Sequence, residues 1–285
     1  MEFVTHLLTH TIADSLPLLP FLFGAYLLIE FLEHRAEGTL ESILARSGRL
    51  GVIGGALLGC VPQCGFSIAA ANFYAGGIIS AGTLAAVFLS TSDEAIPLML
   101  ARPDSIGQIL PLLFTKIVIA LAAGFAIDLL ARPLFPRRHV LEAIHDHCRE
   151  EHCGCEESLL KGAVHHTLQT FAFIFLFTLV MTGALELIGE ETLSRILMGG
   201  TLWQPVVAGL IGLIPNCASS VLITQLYLDG AISFGSVVAG LCTGAGMGFP
   251  VLFKMNRNLR ENLTLLGLVY IIGVAAGILL QVLIP

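Results

Sequence analysis

The residues best equipped for chemistry form a short central run: His145-Asp146-His147-Cys148-Arg149-Glu150-Glu151-His152-Cys153-Gly154-Cys155-Glu156-Glu157. Six candidate metal ligands, His145, His147, Cys148, His152, Cys153 and Cys155, fall within eleven residues, and His139, His165 and His166 are near. Structural zinc sites use four Cys or His ligands in a tetrahedron, so the run offers more than enough. Its Cys-x-Cys spacing is not the Cys-x2-Cys of a zinc module, which predicts a flexible chelator rather than a rigid small fold. Three thiols also suit the pyramidal geometry of a trivalent metalloid. Thiolate and imidazole select soft or borderline ions, so zinc, cadmium, cobalt, nickel, copper or arsenite fit better than manganese. The plain alternative is a hydrophilic linker whose His and Cys are incidental.

A second set lies in apolar surroundings. Pro62-Gln63-Cys64 is followed by Ser67, and Pro215-Asn216-Cys217 by Ser219 and Ser220. Each triplet supplies one thiol and one carboxamide, and together they suit a soft ion or a thiophilic oxyacid such as arsenite. Cys60 stands one helical turn before Cys64 and offers a third thiol, although it and Cys242 read more simply as packing residues. The alternative for the whole set is that Cys and Ser are small residues for tight helix contact, the role expected of Gly51, Gly55 and Gly59. Ser90-Thr91-Ser92-Asp93-Glu94 adds two adjacent carboxylates inside apolar sequence. Ionisable groups within a span are costly, about 2.5–3.5 kcal/mol at the helix centre on the insertion scale, and usually functional. Asp93 and Glu94 therefore read as cation ligands or proton-coupling groups, or else as rim carboxylates beside Arg102. Lys116 is either their counter-ion, a group that responds to substrate, or a side chain that snorkels to the surface.

The elements that hold these residues belong in a membrane. Of 285 residues, 55% are hydrophobic and 12% charged, against about 25% charged in soluble domains. Met1–Ser15 contain no Lys or Arg, so no cleavable signal peptide is expected. The seven cysteines are odd in number and clustered, unlike a disulfide framework. A helical span needs about 20 apolar residues, and Pro17–Phe31, Ile106–Leu130, Leu168–Ile188 and Leu263–Ile284 are the clear candidates. Between them lie Leu50–Cys60 and Phe66–Gly76, too short to span comfortably, and Ala81–Leu100, broken at Ser90–Pro97.

This organisation occurs twice. A shift of 153 positions places Pro62 on Pro215, Cys64 on Cys217, Ser67 on Ser220, Tyr74 on Tyr227, Gly77 on Gly230, Gly82 on Gly235 and Pro97 on Pro250, without a gap. Two repeats follow, 1–132 and 162–285, joined by the His/Cys-rich loop 133–161. Lys and Arg mark cytoplasmic loops. They gather at 35–49, in the central loop and at 254–260, which puts the central loop inside and both termini outside. The shift maps basic loops onto weakly charged ones, so the repeats have inverted topology. The expected fold is an all-α integral membrane protein of about ten transmembrane or re-entrant segments with broken helices. Arms of eleven residues reach only about 17 Å at 1.5 Å per residue, which favours re-entrant hairpins tipped at Pro62–Cys64 and Pro215–Cys217. Inverted repeats with interrupted helices are a recurring plan for secondary transporters, with substrate held near the midplane.

The motifs Gly-Cys-Val-Pro-Gln-Cys-Gly-Phe-Ser (59–67), Ile-Pro-Asn-Cys-Ala-Ser-Ser (214–220), Ser-Thr-Ser-Asp-Glu (90–94) and the His-Cys-Gly-Cys loop resemble the ten-span heavy-metal exporters. Members of that family go by the names arsenic efflux protein and manganese transporter. The chain is also distantly similar to thiol-containing organoarsenical permeases, with a different Cys pattern. The resemblance, which covers nearly the whole chain, implies outward transport of a heavy metal or metalloid across a bacterial-type inner membrane. No Gly-x4-Gly-Lys-Ser/Thr loop occurs, so nucleotide does not drive it, and no resident cofactor is required. The rival readings are an importer with an inhibitory metal-sensing loop, a membrane-bound metal sensor, and an intramembrane metalloenzyme. No His-Glu-x-x-His pairing supports the last of these. The expected partners are the metal or metalloid and the lipid bilayer. No nucleic-acid partner is expected; a dimer is compatible with the sequence.

Overall fold

The structure is a computed structural model that describes residues 11–12, 15–20, 22–27, 48–92, 95–131, 134–135, 159–188, 197 and 203–283. Among them every regular element is helical: α1 (Gly48–Gly59), α2 (Gly65–Ala75), α3 (Ala81–Ser90), α4 (Ala95–Leu100), α5 (Ile106–Leu130), α6 (Leu159–Ile188), α7 (Gln204–Gly212), α8 (Cys217–Leu228), α9 (Phe234–Thr243), α10 (Gly248–Met255) and α11 (Leu259–Leu283), with short 3-10 turns at Leu16–Leu18 and Pro103–Ser105.

Among the described residues, five stretches are long and apolar enough to cross a bilayer: Ala81–Leu100, Pro103–Leu130, Ala163–Gly183, Phe234–Met255 and Leu259–Leu283. Their surroundings differ in a way that a lipid solvent explains. On α5, Leu110, Phe114, Val118, Phe125 and Leu129 are exposed, as are Val164, Leu168, Leu176 and Val180 on α6 and Leu263, Ile271, Leu279 and Val282 on α11. Apolar residues exposed at three- and four-residue spacing, on helices of this length, face hydrocarbon. By contrast, all ten residues of α3 are buried, as are Gly235 to Thr243 of α9. The chain is thus an all-α membrane protein with two short, wholly buried helices at its centre and long lipid-facing helices outside.

The helix breaks fall where proline, glycine and polar residues interrupt the apolar runs. Element bounds recur at the 153-residue shift: α3 maps onto α9 and α5 onto α11 end to end. Local geometry recurs too. Gly77 and Gly230 both adopt φ 72°, a left-handed conformation that glycine takes without steric cost. Ser80 and Ser233 cap the next helices, accepting from the N–H groups of Thr83 and Ser236. α3 packs on α1 and α5, and α9 on α7 and α11. Between halves, α2 packs on α10 while α8 packs on α4. The shift turns the first of these pairs into the second.

Small residues allow the close approach. A Cβ on Gly82 would collide with the Gly124 carbonyl and the Asp128 carboxyl, and one on Gly235 with the Gly277 carbonyl. Gly51, Gly55 and Gly59 line the α1 face against Thr83, Val87 and Ser90, as their spacing predicts. The charged ends are also organised. Asp128 accepts from Ser80 Oγ at 2.7 Å and from the Gly82 N–H at 2.9 Å, closing the positive end of α3. At the matching end of α9 the acceptor is Gln204 Oε1, which takes the Ser233 N–H at 3.1 Å and Ser236 Oγ at 2.8 Å.

The largest difference from the sequence reading is at a helix start. Helix α6 begins at Leu159 rather than near Leu168, so Leu159 to Lys161, placed in the loop by composition, open the helix. His166 sits in its early turns, buried and stacked on Tyr26 with ring centroids 5.6 Å apart. Polar residues there break the apolar run but not the helix. Of Pro17–Phe31, the described part is helical through 22–27.

The packing makes a clear demand at Gly212, where a Cβ would press on the Gly240 carbonyl and Thr243 Oγ1, both on buried α9. Gly212→Ala should lose about 1–3 kcal/mol of stability through overpacking. Gly54→Ala, with nothing within 4 Å of its Cβ, should melt like the parent. Detergent-phase thermal melts of the two variants test this; equal melting would mean that α7 does not approach α9 so closely.

Candidate functional site

The site residues sit at helix ends, because the breaks are where main-chain polarity is released. At the first break, Gln63 N–H donates to Val61 O at 2.7 Å and Phe66 N–H to Gln63 O at 3.3 Å, which turns the chain from α1 into α2. Cys64 is the N-cap residue of α2, and Cys217 is the first residue of α8; both are half-buried and in no disulfide. Asn216 caps α8, its Oδ1 accepting from the Ala218 N–H at 2.9 Å, while its Nδ2 donates to Thr182 Oγ1 of α6 at 3.0 Å. Gln63 is half-buried on the approach to α2. Both thiols therefore stand at the starts of helices that follow a break.

The serines serve the breaks first. Ser67 Oγ donates to Cys64 O at 2.8 Å and Ser220 Oγ to Cys217 O at the same distance. Ser219 Oγ donates to Asn216 O at 2.8 Å and to Ile214 O at 3.0 Å. Ser90 Oγ reaches Ala86 O at 2.8 Å and Ser92 Oγ reaches Ser90 O at 3.2 Å. Each hydroxyl spends its proton on main chain and keeps lone pairs that can still accept. Residue type and spacing alone do not reveal that priority.

Asp93 and Glu94 lie outside the described residues, as do His145, His147, Cys148, His152, Cys153 and Cys155. Among the described residues no group of three or more His, Cys, Asp or Glu side chains is gathered to hold a metal. Arg102 forms an ion pair with Asp229 at the end of α8, 2.7 Å, with both side chains about half exposed.

Lys116 does not snorkel. It is fully buried, and its Nζ donates to Thr91 O, at the end of α3, and to Leu241 O of α9 at 2.9 Å. Its acceptors, the carbonyls of Thr91 and Leu241, had no local signal in the sequence.

A polar cluster at the other end of α2 was also missed. Tyr26 OH donates to Asn72 Oδ1 at 3.0 Å and shares a 2.7 Å bond with Thr170 Oγ1. Lys254 Nζ donates to Thr170 Oγ1 at 3.3 Å and lies 5.3 Å from the centre of the Phe173 ring. Tyr74 OH donates to the buried Glu261 carboxylate.

Lipid-facing outer helices, a buried inner pair and polar groups at matched interruptions define a polytopic α-helical membrane protein built around broken helices. The chain belongs to the ArsP_2 family, described as "Putative, 10TM heavy-metal exporter", which matches it over residues 7–192 and 164–284. No curated protein matches it, and no solved structure does.

If the first and third breaks line a watery cavity, a charged, water-soluble methanethiosulfonate should modify Cys64 and Cys217 in the folded protein. Cys242, with no exposed surface, should react only after denaturation. Mass spectrometry of labelled single-cysteine variants reads the result; unreactive Cys64 and Cys217 would place the breaks against lipid or protein.

Proposed function

We propose that the chain is a secondary transporter exporting a heavy-metal ion or metalloid across a bacterial-type inner membrane by alternating access. One observation carries the reading. Two buried broken helices, α3 and α9, lie between the reciprocal pairs α2–α10 and α8–α4, which the 153-residue shift exchanges. Exchange of contacts under one operation is what a pseudo-twofold axis between two related units produces. The alternation of basic and weakly charged loops supports inverted orientation, with ten spanning or re-entrant segments, the central loop inside and both termini outside. Units so related can rock about a shared midplane site.

In this reading Cys64 and Cys217 bind the cargo, Gln63 and Asn216 hydrogen-bond it, and Ser67, Ser219, Ser220, Ser90 and Ser92 offer lone pairs. Paired sulfur ligands select a soft ion or a thiophilic oxyacid bound through sulfur. Asp93 and Glu94 bring the coupling proton. The 145–155 ligands capture metal on the cytoplasmic side, which suits loading before export. Membership in a heavy-metal exporter family supports the cargo class and the direction. It also weighs against the sensor and metalloenzyme alternatives.

Flux into proteoliposomes, measured for Mn, Zn, Co, Ni, Cu, Cd and arsenite, tests the proposal. At least one soft species should move. Cys64→Ala or Cys217→Ala should cut its rate at least about tenfold, the consequence of losing roughly 1.4 kcal/mol of binding. Asp93→Asn should abolish proton dependence, and deletion of the central loop should raise the half-saturating concentration while sparing the maximal rate. Should Cys64→Ala and Asp93→Asn leave flux untouched while the loop deletion abolishes it, the central site is misplaced.

A further inference from the structure

The environment of Lys116 has a specific chemistry. An ammonium in a dry interior requires acceptors, and Lys116 donates to two main-chain carbonyls. Thr91 is the C-cap of α3, with φ −53° and ψ 127°, so its carbonyl leaves the helical direction. Leu241 lies in the last turn of α9, where a continuing helix would send the Ala245 N–H to its carbonyl. That N–H instead donates to Thr243 O at 3.1 Å, which frees Leu241 O. Two carbonyls released by two helix breaks, one from each half, thus converge on one point at the negative ends of two buried helices. Unwound carbonyls and half-helix C-termini are what coordinate small monovalent cations in broken-helix membrane proteins. The shift maps Lys116 onto Val269, a buried apolar residue, so the second half carries no matching cation.

We propose that Thr91 O and Leu241 O belong to a monovalent-cation site whose resident ion is the protein's own Lys116 ammonium. The tethered charge joins the ends of α3 and α9 across the two halves and takes the place of an inorganic co-ion there. The inference goes beyond the transport reading and depends only on these contacts.

Removing the side chain should turn the point into a site for a free ion. In purified Lys116→Ala, melting in choline chloride should fall by about 5 °C or more. Sodium, potassium or n-propylammonium chloride at equal ionic strength should restore most of the loss, while the parent melts alike in all four salts. Lys116→Met, which refills the space with an apolar chain, should melt low in every salt. A Lys116→Ala protein that is stable in choline, or that no small cation restores, overturns the proposal. So does recovery in choline, without cation dependence, when Asp93→Asn and Glu94→Gln are added; that result would make Lys116 only a counter-ion to those carboxylates. Metal flux does not enter these melts. Cation-specific rescue in a protein that moves no metal would keep this inference and sink the transport reading.

Discussion

Lipid offers no hydrogen-bond partner, so every interrupted helix in this protein must satisfy its own main chain. That constraint governs the four breaks and, through them, the placement of nearly every polar residue described. At 60–64 and 213–216 the chain closes tight local bonds: Cys60 N–H to Leu57 O at 3.2 Å, Ile214 N–H to Ile211 O at 3.0 Å, and Asn216 N–H to Ile214 O at 2.8 Å. Serine hydroxyls and the Asn216 carboxamide take up groups the backbone cannot reach. At the end of α9, Gly246 adopts φ 51° and the Gly248 N–H turns back to Ala245 O at 3.0 Å. The shift places Asp93 where Gly246 stands. One half closes this break with a left-handed glycine; the other carries a carboxylate there and a buried lysine on the carbonyl just before it.

Much of this was legible in the sequence, because the features that break helices are residue types. Proline, glycine and short polar runs located all four interruptions, and Ile106–Leu130 has the bounds its apolar run implies. The 153-residue register was visible because Pro, Cys, Tyr and Gly rarely hold phase by chance in apolar sequence. The start of α6 was not legible, since Lys161, His165 and His166 end a hydropathy run without ending a helix. The partners of Lys116 were not legible either. A lone lysine in an apolar span reads the same whether it snorkels or is buried, and only the approach of α3 and α9 decides. The serines carry a second role that residue type does not show: each hydroxyl donates to main chain at a break.

Elements that match at the 153-residue shift carry unlike chemistry. Where Asp128 caps α3, the shifted position holds Gln281 and the cap comes from Gln204 on another helix. Where Lys116 holds α3 to α9, Val269 merely packs. Close backbone contacts recur at the shift, because Gly82 with Gly124 and Gly235 with Gly277 cannot tolerate a side chain. Polar positions are free to diverge, provided each buried group finds a partner.

The same asymmetry distinguishes the two places where the halves meet. Beside the α2–α10 contact lies a polar set that runs through neighbouring helices: Tyr74 of α2 to Glu261 of α11, Tyr26 to Asn72 of α2 and Thr170 of α6, and Lys254 of α10 to Thr170. The α8–α4 contact is closed by Arg102 and Asp229, both about half exposed. Exposed ion pairs contribute about 0–1 kcal/mol, whereas a hydrogen bond to a charged group contributes about 1.5–3 kcal/mol, and its buried partners are costly to leave unpaired. Two contacts, one the shifted image of the other, are therefore flanked by unlike polar groups: a network through neighbouring helices beside α2–α10, and a single half-exposed ion pair at α8–α4. Near-equal backbones are held by unequal polar groups, and the difference lies in a few side chains rather than in the fold.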